Sequence, residues 1–127
     1  MTAAAHLPGS YWADATSPEL SALDPERTVA LLPLAAIEQH GPHLPLCTDA
    51  LIADSLVRHA VATPRRGARV LALPSLPVGH SPEHERHAGT LSVDVPTLLS
   101  FWSAVAGGVA RAGVRKLVLV NAHGGQR

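Results

Sequence analysis

Leu117-Val118-Leu119-Val120 is an unbroken aliphatic run between Lys116 and Asn121, and it restricts the folds open to this chain more than any other stretch. A strand that is apolar at every position has no face to give to water, so it belongs in a sheet covered on both sides. Val29-Ala30-Leu31-Leu32-Pro33-Leu34 is a second such run, and residues 68–73 read as a shorter strand between the two. Thr48 or Asp49 could cap a helix running to about residue 62. In it Ile52, Leu56 and Ala60 recur every four residues, with Ala53, Val57 and Val61 beside them, which predicts one apolar face. Thr63-Pro64 stops that helix, and Arg65-Arg66-Gly67 reads as a solvated turn.

A second helix is expected from Asp94-Val95-Pro96 to a cap at Gly113, burying Leu98, Leu99, Trp102, Val105, Ala106 and Val109. Residues 90–93 read as a small strand. The order β–loop–α–β–loop–α–β with continuous apolar strands predicts an α/β fold, its parallel sheet covered by helices. Residues 1–27 read as an irregular leader with a short helix near 18–23, Tyr11 and Trp12 lying against the core; residues 28–127 read as the α/β domain.

In such a sheet, sites gather outside the carboxyl ends of the strands. Residues 38–49, Glu-Gln-His-Gly-Pro-His-Leu-Pro-Leu-Cys-Thr-Asp, follow the first apolar run, and Gly41, Pro42 and Pro45 prevent a regular helix there. His123 follows the last run, before Gly124-Gly125, where the absence of side chains lets a ligand approach the backbone. Of eight histidines, six (His40, His43, His80, His84, His87, His123) fall in three loop-like segments. Carboxylate oxygens and imidazole nitrogens together suit zinc, manganese or iron better than calcium.

Glu38, His40, Asp49 and His123 are therefore candidate metal ligands. A carboxylate bridging two metals would activate water and polarise a carbonyl, as amide hydrolysis requires. Two of the four also have a plainer reading, whereas Glu38 and His40, close together in an apolar-flanked loop, are harder to dismiss. Asp49 could simply cap its helix, and His123 could end its strand bonded to a neighbouring loop. His84 is a candidate to approach substrate, His43 to orient a ligand, and His87 to face solvent; His6 and His59 read as ordinary surface residues. Cys47 has no activating base nearby in sequence.

Ten basic and ten acidic residues cancel, and aromatics make up 3%, which gives no footprint for nucleic acid or an anionic membrane. No apolar run approaches the ~20 residues needed to span a bilayer. The start of the chain shows no basic segment followed by an apolar one, so a cytoplasmic location is expected. The single cysteine, which excludes an internal disulfide, agrees with that compartment.

Three separated motifs carry a resemblance. Pro33-Leu34 leads into Ile37-Glu38-Gln39-His40-Gly41-Pro42-His43-Leu44-Pro45-Leu46 with Thr48-Asp49; Glu83-His84 follows with Gly89-Thr90; then comes Asn121-Ala122-His123-Gly124-Gly125. In this order they resemble the creatininase (creatinine amidohydrolase) family, and within it look most like the mycofactocin-system peptidase subfamily. The resemblance implies a three-layer α/β/α fold, two divalent metals, hydrolysis of a C–N amide bond in a small molecule or peptide, and commonly a homohexamer. By the same resemblance Glu38 and His123 would bind one metal, His40 the other, and Asp49 would bridge them. His84 would be the catalytic residue near substrate.

Cys47, His87 and Gln126 depart from the usual family residues. Family members are also longer, with a later His-Ala-Gly-(x)-x-Glu-Thr segment that supplies another glutamate ligand. The expectation is thus the N-terminal half of such an enzyme, its fold and metal site incomplete. The rival expectation is a non-catalytic fragment or small-molecule-binding module that needs a partner chain to complete the site.

Overall fold

The computed structural model describes residues 10–63 and 66–126; His6, Pro64 and Arg65 lie outside them. Three strands, β1 (Thr28–Leu34), β2 (Arg69–Ala72) and β3 (Lys116–Asn121), form one sheet in the order β2-β1-β3. Both strand pairs are parallel. Strand β1 takes the centre because it is apolar nearly throughout, and six of its seven residues are buried. Leu32 and Leu34 are wholly enclosed, each contributing roughly 1.5–3 kcal/mol of burial free energy.

Alternation along β1 creates the layers. Ala30, Leu32 and Leu34 point to one face, where they cluster with Trp102, Val105 and Val109 of helix α3 (Val95–Arg111). Leu31 points to the other and packs with Val57, Ala60 and Val61 of helix α2 (Thr48–Ala62). The result is a parallel sheet whose central strand lies between two helical layers, as continuous apolar strands predict; β3 departs from that expectation, since none of its residues is buried and Val118 and Leu119 are exposed.

Helix α3 starts where expected. The Asp94 side chain accepts from the Thr97 N–H at 3.0 Å, and Pro96 sits in the first turn. Gly113, just past its end, has a φ of 89°, a conformation that a Cβ would oppose. Leu98 and Val109 are buried, but Leu99 is exposed, so the apolar stripe is narrower than its sequence suggests. Within the first 27 residues the described part holds a short helix, α1 (Ser17–Ser21), closed by a capping box between Thr16 and Glu19. Tyr11 and Trp12 pack against opposite faces of the sheet.

Helix α2 has its expected span but a different buried face. Ile52 and Leu56 are 47% and 55% exposed, while Ala53 is 0% exposed and Ala50 and Val57 are buried. Small residues win this face because they let the helix approach Ala35 and Ala122 closely. The expected capping by Thr48 or Asp49 is also corrected. Cys47 is the N-cap and makes no side-chain cap bond; Thr48 Oγ1 instead donates to the Pro45 carbonyl. Residues 90–93 form no strand, only isolated bridges from Leu91 to Ile37 and from Ser92 to Gly79.

Register places the site. Leu34 pairs with Asn121, so β1 and β3 end side by side, and the Ala122 N–H donates to the Leu34 carbonyl at 3.0 Å. The segments leaving the two strands, which carry Glu38 and His123, therefore start at the same level.

Candidate metal centre

Four side chains from three segments meet beyond the carboxyl end of the sheet. The loop after β1 supplies Glu38 and His40, and its shape is held by a bond from the Glu38 N–H to the Leu46 carbonyl. Asp49 comes from the first turn of α2. It shares a face with Ala53 and Val57 at helical spacing, so the rotation that buries those residues also turns its carboxylate toward the strand ends. His123 follows β3, where the Asn121 side chain brackets its backbone, accepting from its N–H at 3.1 Å and donating to its carbonyl at 3.0 Å.

Asp49 Oδ1 lies 3.1 Å from His40 Nε2, and Asp49 Oδ2 lies 3.0 Å from His123 Nδ1. Glu38 Oε1 lies 3.2 Å from the same His123 nitrogen. Glu38, Asp49 and His123 are buried, with His40 partly so. The four residues singled out in the sequence thus converge on one carboxylate, and the capping role for Asp49 gives way to a place between two imidazoles.

The second nitrogen of each ring fixes where its proton lies. His40 Nδ1 faces the Glu38 carbonyl at 3.1 Å, and His123 Nε2 faces the His80 carbonyl at 2.8 Å. A carbonyl only accepts, so each ring must donate through that nitrogen, and a neutral imidazole has no second proton. The remaining nitrogens then aim lone pairs at carboxylate oxygens. In addition, Glu38 Oε2 is buried and accepts no hydrogen bond, a state that usually points to a missing partner. Protonated rings or cations would reconcile these contacts, and the nitrogen-and-oxygen donor set suits a divalent transition metal. A ring fixed by its second nitrogen on a backbone carbonyl is also the usual support of a metal-binding histidine.

The His40 pKa is raised, first by the hydrogen bond to the Glu38 carbonyl; burial opposes this, and the Asp49 charge adds to it.

His84 stands at the edge of the group. The Gly41 N–H bonds to Gln39 Oε1, leaving the Gln39 amide nitrogen to donate to His84 Nδ1 at 2.9 Å. The His84 proton is thereby assigned to Nε2, which lies 3.9 Å from the orphaned Glu38 Oε2. His87 is exposed, its ring 6.0 Å from that of His84, and His59 is exposed on α2. His43 is exposed and orients none of the four; backbone carbonyls do that work, because they reach both rings at fixed distance. Cys47 is partly buried at the start of α2.

Several participants were not foreseen. Ser81 is fully buried with its Oγ 3.2 Å from His123 Nε2, and the His80 carbonyl fixes the same nitrogen. Gly125 is needed as glycine: a Cβ there would lie 2.5 Å from His123 Nε2 and 2.7 Å from the His80 carbonyl oxygen. A Ser beside a Pro-rich loop carries no periodic signal; its distance in sequence from His123 hides the contact.

The sequence matches the family Creatininase, described as creatinine amidohydrolase, over residues 13–127. A mycofactocin precursor peptide peptidase of Mycobacterium tuberculosis is 39% identical over 117 residues, covering 87% of this chain and 45% of the relative. A creatinine amidohydrolase of Pseudomonas putida is 33% identical over 100 residues, covering 75% of this chain and 37% of that protein. A solved creatininase mutant described as Zn-Zn type superposes with a TM-score of 0.79 at 29% identity, over 94% of this chain and 48% of that one. A structure described as Creatininase Mn gives 0.73 at 27% identity, over 91% and 46%. The chain thus spans about half the length of the relatives it matches.

Proposed function

This chain belongs to the creatininase family, and on that premise we propose that it forms the metal-binding part of a hydrolase cleaving a C–N amide or peptide bond. One observation carries the reading: the Asp49 carboxylate sits between two imidazoles, each of which already donates its proton to a backbone carbonyl. In this proposal Glu38, His123 and Asp49 would hold one divalent ion, and His40 and Asp49 would hold a second. The Zn-Zn and Mn descriptions of solved relatives support zinc or manganese, and iron shares the same donors. When bound, such ions supply Lewis acidity and an activated water.

The chain's own residues do the rest. The buried carboxylates of Glu38 and Asp49 offset cationic charge, and the His80 and Glu38 carbonyls keep both rings in one tautomer. Gln39 holds His84 with its proton on Nε2, and we assign that N–H the task of hydrogen-bonding the substrate carbonyl oxygen as charge builds on it. A peptide is the favoured substrate class, because the similarity to a peptide peptidase exceeds that to a creatinine amidohydrolase.

Exposure of Val118 and Leu119 on β3 favours a second reading, in which the chain binds metal but needs a partner chain for turnover. Incubating the metal-loaded chain with short peptides and with creatinine, and following released amine or ring opening, separates the two. Metal-dependent hydrolysis lost in Asp49→Ala supports the first; metal binding without turnover supports the second. On location, no helix among the described residues is long and apolar enough to cross a membrane.

A further inference from the structure

Beyond the four converging residues, a third carboxylate faces the same centre. We propose that Glu83 is an additional metal ligand on the His123 side, closing that ion's coordination from the solvent edge; the inference rests on the metal reading above. Ligand atoms of Glu38, Glu83 and His123 lie within 4.8 Å of one another. An acidic group near a buried site is common, but here a second observation points to a cation ligand. Glu38 is only 6% exposed, and its Oε2 has no hydrogen-bond partner. A buried carboxylate oxygen left without a donor costs free energy, and a second carboxylate beside it raises that cost. A cation held between them removes both penalties.

The local fold presents Glu83 firmly. It sits in a single 3₁₀ turn, Pro82–His84, whose first residue is proline and whose preceding Ser81 is wholly buried. The Ser81 N–H donates to Ser92 Oγ at 2.9 Å, and the His84 N–H to the Ser81 carbonyl at 3.1 Å. Ser81 Oγ in turn touches His123, so one short segment ties Glu83 to the ligand it would share. Space is kept for this approach by Gly125, where a Cβ would meet Glu83 Oε1 at 3.1 Å as well as the His123 ring. His84, the next residue, faces Glu38 Oε2 with an N–H at 3.9 Å, too far for a hydrogen bond, so the gap is not closed from that side. Glu85 is exposed and belongs to neither cluster, which makes it the natural control.

The test is titration of the metal-free 127-residue chain with Zn²⁺ or Mn²⁺ in competition with a chelator, for the native protein, Glu83→Gln and Glu85→Gln. The proposal predicts that Glu83→Gln weakens one binding step by at least about tenfold, while Glu85→Gln matches the native chain. Circular dichroism should be unchanged, since Glu83 is exposed and its loss leaves the fold intact. Native-like affinity in Glu83→Gln would overturn the ligand role and leave the four-residue centre standing. Failure of the native chain to bind either metal would overturn both.

Discussion

Asp49 Oδ2 and His123 Nδ1 lie 3.0 Å apart across 74 residues of sequence, with the second Asp49 oxygen 3.1 Å from His40. One carboxylate thus joins the loop after β1, the start of α2 and the end of β3. Parallel pairing makes this possible, since it brings the ends of β1 and β3 to one edge and the N-terminus of α2 over them.

Helix α2 offers the first prediction. Ala53 is wholly buried in the cluster with Ala35 and Ala50, one turn from Asp49. Ala53→Leu should overpack that contact, cost about 1–3 kcal/mol and weaken metal binding by displacing Asp49. Leu56→Ser, on the exposed face, should change stability by no more than about 0.5 kcal/mol. Denaturant unfolding with metal titration checks both; equal sensitivity at the two positions would contradict this placement of the helix.

That pair also marks where the sequence stops being legible. The span of α2, the limits of β1 and the parallel order follow from unbroken apolar runs and from Thr63-Pro64. The buried face of α2 does not, because Ile52 and Leu56 outweigh Ala50 and Ala53 in any hydrophobic pattern, while close approach to the sheet rewards the alanines. Glu38, His40, Asp49 and His123 stand out as unusual residues at strand ends. Ser81 and the His80 carbonyl do not, since their part depends on a single turn folding back against His123.

Gly125 gives a prediction specific to the centre. A Cβ there would come within 2.5 Å of His123 Nε2, so Gly125→Ala must push the ring away from Asp49. Metal affinity should fall by about tenfold or more, as when an outer support of a ligand is lost. The melting temperature of the metal-free chain should move much less. An unchanged affinity would mean that the ring has room the structure does not show.

Ser81→Ala removes the hydroxyl 3.2 Å from His123 Nε2 but leaves the His80 carbonyl in place. The ring keeps its tautomer, so the expected loss of metal affinity is at the lower end of about 10–100-fold. Isothermal titration measures it. A loss as large as that of Asp49→Ala would show Ser81 acting more directly than the geometry implies.

The pH dependence follows from His40. Its pKa is raised in the folded state, chiefly by the Glu38 carbonyl bond, so protonation of His40 favours the metal-free fold. That contribution is fully present below the ordinary histidine value of about 6.5 and fades as pH rises through the higher folded value. Melting of the metal-free chain should therefore show a stability loss over that window, absent in His40→Gln. Metal binding should run the opposite way and strengthen as the competing proton leaves. A metal-free melting temperature that is flat across the window would count against this linkage.

Metal content of the purified chain and of Asp49→Ala, by elemental analysis after exchange into metal-free buffer, tests the central claim most directly. The account predicts about two equivalents of zinc, manganese or iron in the native chain, and loss of both in the variant because Asp49 serves both sites. Full metal content in a folded Asp49→Ala chain would contradict it.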